Sequence, residues 1–138
     1  MNLANSLVSI NWLAVIVSTV AAFGLGGLWY SKALFGATWQ QEVGLTDEAI
    51  NSANMPMTFG TTFLLQFLAV TALAALIGSG ATWMSGLQTG LTVSVFWVAT
   101  AYGITYLFEQ RSLRIFLINS GYNVVLFTIV GTIIGAWH

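Results

Sequence analysis

The densest group of polar side chains within an otherwise apolar stretch consists of Asn119, Tyr122 and Asn123. Their i, i+3 and i+4 spacing places all three on one face of a helix. Amide and phenol groups both donate and accept hydrogen bonds, so this face either bonds to neighbouring helices or forms the wall of a polar pocket. Gln66 is a lone polar amide in another apolar stretch.

Charged side chains lie just before this group in the sequence: Glu109, Arg111 and Arg114. A Glu–Arg pair at a membrane surface can close a turn, or it can bind an anion such as a lipid headgroup or another small ion. We therefore predict that any small-molecule site lies at this end of the protein, beneath Trp29 and Tyr30. The candidate pocket residues are Lys32, Glu109, Arg111, Asn119, Tyr122 and Asn123.

Catalytic and metal-binding chemistry is poorly supplied by this sequence. The chain has no cysteine, and its four carboxylates are dispersed rather than grouped as metal ligands. Its single histidine is the terminal His138, so the serine and threonine hydroxyls lack a partner base. We expect no enzymatic activity, no metal and no cofactor. Three basic residues are also too few for a nucleic-acid-binding surface.

The positions of the charges dictate the surroundings of these residues. All seven charged residues fall in the ranges 32–48 and 109–114 and make up 5% of the chain, whereas soluble domains contain about 25%. This composition cannot cover a water-facing surface, so it predicts an integral membrane protein in contact with the lipid bilayer. The apolar stretches carry no acidic or basic side chain, which disfavours a proton relay across the membrane.

Four helical spans fit the apolar stretches. A single helix over residues 49–108 would be about 90 Å long, roughly three times the hydrocarbon thickness, so the chain must reverse within that range. Gly78-Ser79-Gly80 supplies the reversal. The sequence predicts an all-α membrane protein, a four-transmembrane-helix bundle that forms one domain over residues 1–138. The predicted spans are residues 12–30, 57–77, 87–107 and 116–137.

The first loop, residues 31–56, is predicted to contain a short interfacial helix. Phe35, Trp39 and Val43 recur every fourth residue, and Gly44 is a typical helix terminator. Thr46 is a candidate N-cap for a second short helix. We therefore expect this loop to be ordered on the membrane surface.

Small residues recur every fourth position in three of the predicted spans. Such stripes allow close approach of helices in lipid, where the hydrophobic effect does not drive helix association. The stripes either pack the four helices of one chain, or one of them, with Gly131 and Gly135 favoured, contacts a second subunit of a homo-oligomer. The stripe residues are Ala14, Ser18, Ala22, Gly26, Gly86, Gly90, Ser94, Gly131 and Gly135.

Aromatic residues are predicted to form two belts at the membrane interfaces, as amphipathic rings prefer. One belt contains Trp12, Trp83 and Trp137; the other contains Trp29, Tyr30, Trp39 and Tyr106. Trp97 falls in the middle of a span and is interpreted as a packing residue.

The orientation follows from the basic residues. Both charged segments follow odd-numbered spans, so they lie on one side of the membrane, and Lys32, Arg111 and Arg114 share that side. The positive-inside rule predicts that this side is cytoplasmic and that both termini are extracytoplasmic.

Several strings in the sequence are similar to one known family. They are Asn11-Trp12-Leu13-Ala14-Val15, Gly27-Leu28-Trp29-Tyr30-Ser31, Leu34-Phe35-Gly36, Leu107-Phe108-Glu109 and Phe116-Leu117-Ile118-Asn119 with Gly121-Tyr122. The chain resembles the bacterial membrane family catalogued as domain of unknown function 1761, over nearly its whole length. The resemblance implies four spans, a bacterial inner membrane and no assigned activity. At Asn123 many relatives are expected to carry His, so the departure disfavours a titrating or metal-binding group there.

Three classes of function remain at this point. A non-catalytic oligomeric scaffold or interaction protein needs only helix packing and an ordered surface loop, and the sequence supplies both. A small oligomeric channel or transporter needs a continuous polar path, which the Asn119 face offers over the cytoplasmic half as a vestibule. An intramembrane enzyme needs a catalytic set, and we recognise none.

Overall fold

The computed structural model of the protein describes residues 2–137. Met1 and His138 lie outside the described residues. Within the described range all regular secondary structure is helical. The helices are α1 (Leu3–Val8), α2 (Trp12–Trp29), α3 (Gly36–Val43), α4 (Asp47–Asn51), α5 (Met55–Ile77), α6 (Trp83–Val93), a π-helical turn (Ser94–Ala99), α7 (Thr100–Phe108) and α8 (Leu113–Ala136).

Four helical stretches of this range are long and apolar enough to cross a membrane. They are α2, α5, the continuous stretch Trp83–Phe108 and α8. The protein is therefore an all-helical membrane protein with four candidate spans. We call the end that holds α3, α4 and the α7–α8 connection the loop end, and the opposite end, with α1 and the end of α8, the terminal end. All seven charged residues are at the loop end.

Side-chain caps determine where the long helices begin. The Asn11, Asn54, Thr82 and Ser112 side chains each accept a hydrogen bond from the backbone N–H three residues later. Each cap satisfies an N–H that the helix itself leaves unpaired. Three spans consequently begin two to four residues earlier than hydrophobicity alone predicts, because the capping residue rather than the first apolar residue defines the helix start.

The closest helix contact joins α6 to α8 at the terminal end. A Cβ on Gly86 would overlap with the carbonyl oxygen of Gly131, and one on Gly131 would overlap with that of Gly86. A Cβ on Gly90 would meet the Phe127 carbonyl oxygen, and one on Gly135 that of Thr82 in the same way. The stripe of Gly131 and Gly135 therefore packs within one chain, and this face is not open to a second subunit.

The stripe on α2 is also internal. Ala14 and Ser18 are fully buried and Ala22 is 2% exposed. The next small residue, Gly26, makes room for the Tyr122 hydroxyl of α8, which lies 2.9 Å from where a Cβ would be. The small faces of α2 and α6 thus both pack against α8, which makes α8 the central helix.

Burial differs strongly between the spans. In the most apolar window of α8, 39% of the residues are buried within the chain, but only 6% in that of the third span. The third span contacts its own chain mainly through the glycine face of α6, and its outer side presents Phe96, Ile104 and Leu107.

Trp97, interpreted from the sequence as a packing residue, does not pack within the chain. It lies in the π-helical turn and is 62% exposed. The turn begins at Ser94, which is fully buried and whose hydroxyl donates to the Leu91 carbonyl oxygen at 3.0 Å. The wider π-helical turn changes the rotation of the helix between α6 and α7, so the sequence spacing of α6 does not extend past Ser94.

Candidate functional site

A tight reversal at the end of α2 brings the loop-end side chains together. The Phe35 N–H donates to the Trp29 carbonyl oxygen at 3.0 Å, and the Gly36 N–H donates to that of Ser31 at 2.9 Å. Gly36 is buried, and a Cβ there would overlap with the backbone of Tyr30 and Ser31. Only glycine fits this position. The turn directs α3 back towards the aromatic residues that end α2.

Five aromatic rings from α2, α3 with its preceding turn, and α8 pack at this reversal. Trp29 lies against Phe35 with ring centres 4.8 Å apart. Tyr30 makes edge-to-face contacts with Tyr122 at 5.3 Å and with Trp39 at 5.8 Å. Edge-to-face geometry is favourable because the positive ring edge meets the negative ring face. The three interfacial aromatics singled out from the sequence, Trp29, Tyr30 and Trp39, therefore belong to one cluster.

Asn119 is the centre of a hydrogen-bonded chain that joins three spans. The Tyr30 hydroxyl donates to Asn119 Oδ1 at 2.7 Å, and Asn119 Nδ2 donates to the Tyr106 hydroxyl at 2.7 Å. Beside this chain, Trp29 Nε1 donates to the Ile118 carbonyl oxygen at 3.1 Å. Both polar atoms of the Asn119 amide are thus used to connect α2 and α7 to α8.

The other two members of the predicted polar face bond elsewhere. The Tyr122 hydroxyl donates to the carbonyl oxygen of Ala22 on α2 at 3.2 Å. Asn123 Nδ2 donates to the Asn119 carbonyl oxygen of its own helix at 2.9 Å. The face between residues 119 and 123 therefore contacts α2 on one side and α7 on the other.

A polar contact closes the loop end by fastening α3 to the start of α8. The Ser112 hydroxyl donates to Glu42 Oε2 at 2.6 Å while it caps α8 by accepting from the Ile115 N–H at 3.2 Å. Arg114 Nη1 lies 3.8 Å from Glu42 Oε1. We call this contact, formed by Glu42, Ser112 and Arg114, the latch. Short charge-assisted hydrogen bonds of this kind are the stronger ones.

The structure does not gather the six predicted pocket residues into one site. Asn119, Tyr122 and Asn123 lie among the bonded side chains described above. Glu109 and Arg111 pair with each other at 3.3 Å in the α7–α8 connection and line an open cavity there. Lys32 lines a separate cavity beside α3 and α4. Lys32 and the Glu109–Arg111 pair therefore line different cavities, one beside the first loop and one beside the α7–α8 connection.

Sequence reasoning omitted two kinds of partner. Tyr106 of α7 pairs with Asn119 of α8, Tyr102 is four residues before Tyr106, and Asn123 is four residues after Asn119. In an antiparallel helix pair with a short connection, matching spacings of this kind predict paired side chains. For Glu42, whose hydrogen-bond partner Ser112 is 70 residues away in sequence, no local pattern gives a signal.

Residues 2–137 include no group of three or more His, Cys, Asp or Glu side chains placed to hold a metal ion. The contacts described at the loop end are hydrogen bonds, ion pairs and aromatic ring contacts.

Comparison with known proteins gives one match. No curated protein and no solved structure matches the chain significantly. The model of one family, described as a protein of unknown function (DUF1761), matches residues 13–135. This range contains α3, α4, the latch and the bonded face, by which we mean Asn119, Tyr122 and Asn123 on α8. The site described above therefore lies within the part of the chain that the family shares. The chain belongs to the DUF1761 family of proteins of unknown function.

Proposed function

We propose that the protein is a non-catalytic scaffold of the bacterial inner membrane, which acts as a homo-oligomer and presents its loop end to partners in the cytoplasm. The observation that carries the proposal is the use of Asn119. Its amide oxygen and nitrogen bond to Tyr30 and Tyr106 of two other spans. A side chain used in this way holds helices together and is not free to line a path for solutes.

The latch supports the same function. Glu42 on α3 bonds to Ser112 at the start of α8, and its side chain is only 21% exposed. This contact fixes the first loop against the bundle, so the protein offers an ordered surface. A scaffold needs such a surface, because an ordered face loses less conformational entropy when a partner binds.

The decisive experiment distinguishes a scaffold from the main alternative function, that of a small channel or transporter. The purified chain is reconstituted into liposomes, and the flux of protons, potassium and chloride is measured against empty liposomes. We expect equal flux in both. Flux above the empty-liposome level that disappears in Asn119→Leu, while the variant remains folded, would show that the protein is a channel and not a scaffold.

Self-association is tested separately by native mass spectrometry in mild detergent. The large apolar surface of the third span supports an oligomer, since only 6% of its most apolar window is buried within the chain. We expect a species larger than the monomer. A monomer alone at all protein concentrations would contradict the oligomer but would leave the scaffold function intact.

Orientation is tested with reporter fusions. The basic residues Lys32, Arg111 and Arg114 at the loop end support a cytoplasmic position for that end. A periplasm-active reporter fused after residue 137 should be active and a cytoplasm-active one inactive. The reverse pattern would show that the loop end is extracytoplasmic.

A further inference from the structure

A cavity of about 440 Å³ lies at the loop end, between the end of α2 and the helices α3 and α4. Its lining combines two charged side chains, two aromatic ones and two amides: Lys32, Asp47, Tyr30, Trp39, Gln40 and Asn51. This cavity is distinct from the bonded face around Asn119, although Tyr30 contributes to both.

The two charges in this cavity are separated. Lys32 and Asp47 both line it, yet no ion pair within 4.0 Å involves either of them among residues 2–137. Asp47 is held in place because Gln40 Nε2 donates to its Oδ1 at 2.8 Å. The cavity therefore presents a cation and an oriented carboxylate that do not neutralise each other directly.

The cavity lies beside the loop end of the first candidate membrane span, where lipid headgroups are expected. Tyr30 immediately follows α2, the first membrane-spanning helix, and Lys32 is two residues further on. Tyr30 and Trp39 pack edge to face at 5.8 Å, and such rings favour the boundary between hydrocarbon and water. A ligand held by both charges at that boundary needs one anionic and one cationic group.

We propose that this cavity binds a phosphoethanolamine group, the headgroup of a zwitterionic phospholipid. The Lys32 ammonium contacts the phosphate. The ammonium of the ligand donates to the Asp47 carboxylate and the Asn51 amide oxygen and lies near the Trp39 ring, where cation–π attraction adds to binding.

The same chemistry discriminates between headgroups. A purely anionic headgroup would satisfy Lys32 but would leave the Asp47 carboxylate opposite negative charge. A quaternary ammonium has no N–H to donate, so it cannot replace the hydrogen bonds to Asp47 and Asn51. The cavity should therefore prefer a primary ammonium over both. This inference does not depend on the scaffold function, since a channel could hold the same lipid.

The experiment uses the full chain in detergent, titrated with short-chain phosphatidylethanolamine, phosphatidylcholine and phosphatidylglycerol, and counts bound lipid by native mass spectrometry. Phosphatidylethanolamine should bind most tightly. Lys32→Met and Asp47→Asn should each weaken its binding about tenfold, the effect of losing one charge-assisted contact. Lys32→Arg, which keeps the positive charge, should retain binding.

The matched control is Glu48→Gln. Glu48 is adjacent to Asp47 on α4 and does not line the cavity, and its substitution removes the same charge. Lipid binding should be unchanged in this variant. Equal binding of the three lipids would overturn the proposal, and so would an equal loss in Glu48→Gln and Asp47→Asn when both variants melt at the wild-type temperature.

Competition with water-soluble phosphoethanolamine distinguishes the two sources of this group. Displacement of the lipid would show that the cavity recognises the headgroup without the acyl chains, and that the free phosphate ester is also a ligand. If the lipid remains bound in excess ester and is still lost in Asp47→Asn, the site takes the group only as part of a phospholipid.

Discussion

The two ends of this bundle are held together by different physical means. At the terminal end, α6 and α8 meet through Gly86 and Gly131, whose backbones touch because neither residue has a side chain. At the loop end, side chains of α2, α7 and α8 meet through the hydrogen bonds of Asn119. The first contact depends on shape alone and tolerates no added atom. The second depends on direction and tolerates a loss of one partner at a limited cost.

The largest expected effect is at the terminal end. Gly131→Ala should lower the free energy of unfolding by roughly 3 kcal/mol or more, because the added Cβ overlaps with a backbone oxygen that cannot rotate away. Gly27→Ala is the matched control, since a Cβ on Gly27 meets no atom within 4 Å. Unfolding in mixed micelles measures both. Equal effects of the two substitutions would show that the close contact does not support the fold.

An intermediate effect is expected at the loop end. Asn119→Leu should lower the free energy of unfolding by about 1–2 kcal/mol, since it removes two interhelical hydrogen bonds worth about 0.6 kcal/mol each and leaves two phenols unpaired. A double-mutant cycle with Tyr30→Phe sharpens the comparison. The two substitutions should be coupled. Strict additivity would show that the bond between Tyr30 and Asn119 contributes nothing.

The smallest effect is expected for the exposed ion pair of the α7–α8 connection. Arg111 and Glu109 pair at 3.3 Å, but their side chains are 42% and 48% exposed. Solvent and salt screen such pairs, so Arg111→Ala should change the free energy of unfolding by no more than about 0.5 kcal/mol. The same micelle assay at low and high salt measures this. A loss as large as that of Asn119→Leu would show that the loop end depends on this pair.

Secondary structure was largely predictable because its signals are local. The sequence predicted α3 from the spacing of Phe35, Trp39 and Val43, and the helix ends before Gly44, whose φ of 74° is left-handed. It also predicted the cap of α4 at Thr46. The helix α1 was not predicted, because a six-residue helix with no buried side chain leaves no periodic pattern.

The candidate site was predictable only in part. Asn119, Tyr122 and Asn123 stand out because polar groups are rare in the spans, and the structure shows all three bonded. Lys32 and Arg111, which the sequence assigned to one pocket, line different cavities, since nearness to the same membrane surface does not specify which side of the bundle a residue lies on.

The sequence by itself determined that this protein lies in a lipid bilayer, where its helical spans are and at which end its charges lie. Each of these properties follows from composition along a single segment. Only the tertiary structure decided the pairing of Glu42 with Ser112, the contact of Gly86 with Gly131 and the separation of Lys32 from Arg111. The physical reason is that helices apolar on every side have no preferred face, so their rotation is set by the close packing and hydrogen bonds formed when the bundle assembles.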